Sequence, residues 1–171
     1  KSDRMIRFEV IDATFNLRHK NAIKNWINEI IRRKNRIPGS INYLFSSDTY
    51  VLGVNREFLG HDYYTDIITF DTSGYCAEIP GRHSASNLSA DIVISLDTVL
   101  ANSETYASDF STELYRVMAH GILHLLGYDD LTPEQSQEMR VGEEEALAVL
   151  REARVPFDQS YKSDVQDGKR I

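Results

Sequence analysis

Three side chains of this sequence have the types and the spacing to hold a metal ion: His120, His124 and Asp130. Two histidines four residues apart project from one face of a helix, about one turn (~5.4 Å) apart, so their imidazoles can converge on a single ion. Ile122, Leu123, Leu125 and Leu126 around them mark a buried helix, in which an unpartnered polar ring is costly. Gly127 supplies the helix stop, because a glycine just past the end can take the left-handed conformation that turns the chain back. The turn Tyr128-Asp129-Asp130 can then offer a carboxylate to the same ion. Three protein ligands leave a fourth tetrahedral position for water, as in catalytic rather than closed structural zinc sites, so one zinc ion is the expected cofactor.

A bare H-x-x-x-H is short and common by chance, and alone it reads better as a pair of core or surface histidines; the glycine turn and the acid at fixed offsets favour a metal site. Asp129 reads either as turn chemistry or as an outer carboxylate supporting a histidine N–H, and it is not assigned as a ligand. Zinc proteases of the H-E-x-x-H type place a glutamate after the first histidine. Here that residue is Gly121, so a metallopeptidase would need Asp66 or Asp91 as its base.

The run from His120 to Asp130 resembles the signature H-G-x-L-H-L-x-G-Y-D-H of the YbeY family, metal-dependent endoribonucleases of ribosomal RNA maturation. Asp130 replaces that family's third histidine, a harder oxygen ligand that suits zinc but makes the site more anionic. Thr65-Asp66-Ile67-Ile68-Thr69-Phe70, within the block from Asn55, resembles the family's T-D-V-L-S-F, and Asp91-Ile92-Val93-Ile94-Ser95 resembles its G-D-I strand with Ala90 in place of the glycine. The matches spread over about residues 42 to 130. A second departure is Leu59, where the family commonly has an arginine that serves RNA or phosphate chemistry. Arg56 or His61 can supply a cation from nearby, although Arg56 reads equally as an ordinary solvated helix residue.

The resemblance implies a zinc-dependent endoribonuclease that cleaves single-stranded RNA, ribosomal RNA in particular, in the cytoplasm near the ribosome or its assembly proteins. In that reading the ion lowers the pKa of its water to about 7 and polarises a phosphoryl oxygen. No residue is assigned as catalytic acid or base. The alternative is a non-catalytic ribosome-assembly factor with a structural metal.

The elements that must position these residues follow from patterning. Ile6 to Ile11 reads as a first strand. Ile23, Trp26, Ile27, Ile30 and Ile31 form one stripe of an amphipathic helix from about Arg18 to Lys34, which makes Trp26 core rather than a stacking platform. Pro38-Gly39 ends that segment before a strand at Ile41–Phe45. Asp48 is the expected N-cap of a short helix through Phe58, followed by a strand at Ile67–Phe70. Residues 71 to 88 read as a long loop holding Cys76 and His83. Ala90–Ser95 is nearly all apolar and so central. Helices follow at about 97–107, 112–126 and 132–154, the last opened by Thr132-Pro133-Glu134-Gln135.

The expected fold is therefore one α+β domain over residues 5–157, a small four-stranded mixed sheet packed with about five helices, and a frayed tail over 158–171. A chain of 171 residues, 42% hydrophobic, has the material for one substantial core and not for two. There is no apolar run of about 18 residues and no leader pattern, so a soluble, unexported protein that spans no membrane is expected. Met5 is read as the natural start. A lone Cys76 excludes an internal disulfide, and bystander status is its simplest reading, as surface placement is for His83. Net charge is −7, yet residues 1–36 carry ten Lys or Arg against four acids. That basic segment reads either as a polyanion-facing surface or as a solvated face with its cations at a helix C-terminus.

Overall fold

The computed structural model describes residues 6–73, 87–166 and 169–170. β1 (Ile6–Ile11) leads to α1 (Lys20–Arg33), β2 (Ile37–Ser46), α2 (Asp48–Leu59), β3 (Ile67–Asp71) and β4 (Asn87–Ser95). α3 (Leu96–Thr105), α4 (Phe110–Leu125) and α5 (Pro133–Glu152) follow, then a short antiparallel ribbon of β5 (Val165–Gln166) and β6 (Lys169–Arg170). The sheet runs β1-β2-β4-β3. β1, β2 and β4 are parallel and β3 returns antiparallel on the edge beside β4. This is the expected α+β fold with a four-stranded mixed sheet, and β4 is central as its apolar run requires.

Strand alternation divides the sheet into two unequal faces. Tyr43, Phe45, Ile92 and Ile94 point into the main core with Ile23, Trp26, Ile27, Leu114, Met118, Ile122, Leu147 and Leu150. Val93 and Ile68 point the other way into a small cluster with Val51 of α2. Trp26 is buried and its Nε1–H donates to the Ala146 carbonyl at 2.8 Å, so the stripe of α1 docks α5 as well as the sheet. The Tyr43 hydroxyl donates to the Met118 carbonyl at 3.0 Å and pins α4 to β2.

Several boundaries differ from expectation. Pro38 and Gly39 lie within β2, because the strand pairs with β4 on both sides of a register irregularity between Pro38 and Ile41; a bulge accommodates a proline that a regular ladder excludes. The N-cap of α2 is Ser47, whose Oγ accepts from Tyr50 N–H at 3.2 Å, and Asp48 lies inside the first turn. α5 opens with the expected capping box of Thr132 and Gln135.

The tail is not frayed through residue 163. Gln159 is buried, with Nε2–H donating to the Arg18 carbonyl at 2.8 Å and to the Tyr115 hydroxyl at 2.9 Å. Tyr161 donates to Asp97 at 2.7 Å. A polar sequence read as solvated is anchored because its donors meet acceptors of α3, of α4 and of the segment before α1. Cys76 and His83 lie outside the described residues.

Candidate metal centre

Gly121 explains how α4 reaches the sheet. A Cβ built there would stand 2.7 Å from Cδ1 of Ile67 and 3.5 Å from Cγ2 of Ile92, so a glycine lets the helix backbone lie this close to β3 and β4 without displacing the end of the Ile67 side chain. The missing side chain thus eases the close packing of α4 on the sheet, while the preceding residue, His120, meets Glu143 of α5.

The end of α4 closes as the sequence implies. Leu126 caps the helix and Gly127 has φ 103°, with its N–H donating to the His124 carbonyl at 3.0 Å. Tyr128 N–H donates to the Leu123 carbonyl at 3.0 Å, completing the paired bonds of a Schellman turn. The chain returns and α5 starts at Pro133, so Asp130 sits on a short turn held by helices on both sides. Ser136 tightens it by donating its hydroxyl to the Asp130 carbonyl at 3.1 Å.

His120, His124 and Asp130 come together. Oδ2 of Asp130 lies 3.7 Å from Nε2 of His120 and 3.6 Å from Nε2 of His124, and one donor atom from each residue falls within 4.8 Å of the others. Tetrahedral zinc ligands at about 2.0–2.1 Å stand roughly 3.4 Å from one another, so the histidine–aspartate spacings are a few tenths of an ångström wide of a closed site. The donor set, two imidazoles and one carboxylate beside a cleft of about 500 Å³ lined also by Arg116, Arg140 and Glu143, fits such an ion.

Sequence reasoning missed the support behind His120. Glu143 of α5 lies 3.4 Å from Nδ1 of His120, and its carboxylate also accepts from Nη1 of Arg116 at 3.0 and 3.3 Å. Arg116 in turn donates through Nε to Glu113 at 2.9 Å and through its other terminal nitrogen to the same carboxylate. Nδ1 of His120 thus has a carboxylate to donate to, while Nε2 is the ring nitrogen turned toward Asp130. Burial raises the Glu143 carboxyl, but the His120 hydrogen bond and the Arg116 charge outweigh it and hold the pKa below the ordinary 4.5. Hydrogen bonding to Glu113 outweighs burial at Arg116 and raises its pKa, keeping it charged. A sequence signal existed: Glu143 falls on the stripe Met139, Gly142, Ala146, Leu147, Leu150 that α5 buries, and an acid on an apolar stripe demands a partner.

The other candidates are sorted by the same geometry. Asp129 is exposed, and the carboxylate beside a histidine is Glu143. Asp91 bonds Asn42 at 2.9 Å on the sheet face away from α4, since its neighbour Ile92 is the residue that meets Gly121. Arg56 pairs with Asp62, and His61 meets the Tyr63 hydroxyl at 2.9 Å. Of the basic segment, Arg33 pairs with Glu29, while Lys34 reaches over the Tyr128 ring at 5.1 Å beside the metal turn. The cleft that Lys34 lines also holds Asp129, Glu138 and Glu145, so its cation is offset by acids.

Residues 8–151 match the family described as Endoribonuclease YbeY. The chain belongs to that family. An Endoribonuclease YbeY from Cytophaga hutchinsonii is 42% identical over 140 residues, covering 82% of this chain and 92% of that protein. One from Parabacteroides distasonis is 43% identical over 133 residues, covering 78% and 87%. The fold is shared by the solution structure of TM1509 from Thermotoga maritima, with a TM-score of 0.52 at 23% identity over 89% of this chain and 97% of that one. Among the described residues no helix is long and apolar enough to cross a membrane.

Proposed function

We propose that this protein is a metal-dependent endoribonuclease that cleaves single-stranded RNA during ribosomal RNA maturation, with His120, His124 and Asp130 as the ligands of one zinc ion. The observation that carries the reading is the convergence of those three side chains at the end of α4 in a chain of this family. Bound there, zinc supplies a Lewis acid that brings its water toward a pKa of about 7 and polarises a phosphoryl oxygen. The chain's own residues do the positioning. The Schellman turn sets Asp130 against the histidines, and Glu143 holds the His120 ring with Nε2 toward Asp130. Arg116 keeps Glu143 ionised, so the support remains negative while the site faces a polyanion. Cytoplasmic action near the ribosome accords with such a substrate.

The test is metal content by plasma mass spectrometry together with cleavage of a labelled single-stranded RNA, for wild type and Asp130→Ala. About one zinc per chain and RNA cleavage, both falling sharply in the variant, is the expected result. Zinc binding without cleavage, with unfolding when the metal is removed, favours a structural metal in an assembly factor.

A further inference from the structure

We infer that the segment joining α2 to β3 is a stacking platform for the bases of single-stranded RNA bound at the metal centre; the inference rests on the proposed function and assigns the RNA a second point of contact.

Four large apolar or aromatic side chains lie within seven residues of this segment and are turned to solvent. Phe58 is 64% exposed, Leu59 43%, Tyr63 55% and Tyr64 62%. Such residues clustered on a surface mark an interaction site rather than scatter. The segment is not loose. Gly60 takes φ 65° as the helix cap, His61 N–H donates to the Asn55 carbonyl at 3.1 Å, and the buried Asn55 side chain donates to the Tyr63 carbonyl at 2.9 Å. The His61 and Tyr63 rings are already stacked, 5.2 Å between centroids at 21°. Phe58 is braced edge-on against Phe70 at 6.1 Å. Flat rings held in place with exposed faces lose little entropy when a base stacks on them, and every base has a π-face.

The position selects the occupant. Ile67, the first residue of β3, is the residue whose Cδ1 confronts Gly121, next to His120. Tyr64 is three residues before Ile67, and an extended chain spans at most about 3.6 Å per residue, so the Tyr64 backbone lies within about 11 Å of the Ile67 backbone. The rings thus stand beside the strand that packs against the helix carrying His120, and nucleotides flanking those at the metal centre are the ones assigned to them. The nearest cation of the segment, Arg56, is paired with Asp62, so its recognition is of bases and not of phosphates.

The experiment measures binding of fluorescent 12-nucleotide oligouridine, and of an abasic strand of the same length, both with phosphorothioate linkages that slow cleavage, to the full chain as purified, with gels confirming that the strands stay intact. Wild type is compared with Tyr63→Ala, Tyr64→Ala, Tyr63→Phe and Tyr64→Phe, with thermal melts as a folding control. Stacking predicts that each alanine variant binds oligouridine at least about tenfold more weakly. It also predicts that the phenylalanine variants bind like wild type and that the abasic strand does not distinguish any of them. Wild-type binding unchanged in the alanine variants overturns the platform alone and leaves the patch to a protein partner. No binding of either strand by wild type overturns the platform together with the RNA reading beneath it.

Discussion

Glu143 and Asp97 are both carboxylates drawn out of water and held below their ordinary pKa, yet they are held by opposite kinds of donor. At Asp97, burial raises the carboxyl, and the Ser163 hydroxyl, the Asp48 backbone N–H and the Tyr161 hydroxyl bring it down. Most of those donors are neutral, the Asp48 carboxyl being a further partner, and together they stitch the C-terminal segment and the start of α2 to the start of α3. At Glu143 the donors are a guanidinium and an imidazole. The imidazole passes the effect on, because its other nitrogen faces Asp130 and the cleft. A half-buried carboxylate met chiefly by hydroxyls and an amide closes a fold, whereas one met by a guanidinium and an imidazole beside a cavity tunes a site.

The largest expected effect comes from taking away the charge between two buried acids. Arg116→Met leaves Glu113 and Glu143 without their cation, and a loss of about 3 kcal/mol in urea unfolding is expected, the low end for a broken buried pair because the guanidinium is partly exposed. A loss no greater than that of a surface arginine would put the two carboxylates in one class. Next is Glu143→Gln, for which zinc affinity in a chelator competition should fall roughly 10- to 100-fold. Unchanged affinity would break the comparison at its centre, since Glu143 would then be as purely structural as Asp97.

Tyr161→Phe gives the reciprocal result: a stability loss of about 1–2 kcal/mol from one hydrogen bond to a charged group, with zinc affinity equal to wild type. The smallest effect is on acid stability. Asp97 has its folded pKa depressed below an unfolded value of about 3.9. Its stabilisation is fully present above that unfolded value and is lost as pH falls through the folded one. Tyr161→Phe moves the folded value back up, so the stability gap between variant and wild type should narrow when urea midpoints are followed from pH 6 down to pH 3.

The three converging side chains could be named before any coordinates because they belong to one helix and the turn after it. Local geometry alone carries His120 to His124 in one turn and Gly127 through the reversal that returns Asp130. The stripe of α1, the capping box of α5 and the central place of β4 were legible for the same reason, since each depends on near neighbours or on a period. Pro38-Gly39 misled because a local breaker was absorbed by a bulge that pairing with β4 sustains. The tail misled because Gln159 and Tyr161 are polar, and polarity does not say whether a partner waits 44 or 64 residues away.

By itself the sequence determined the fold class, the convergence of His120, His124 and Asp130 at the end of α4 and the family, all of which rest on spacing within short runs. Only the tertiary structure decided that Glu143, 23 residues beyond His120, is the carboxylate behind it, that Gly121 is empty so α4 can reach the sheet, and that Asp91 faces away. Those outcomes depend on which elements pack together, and packing joins residues that no period in the chain relates.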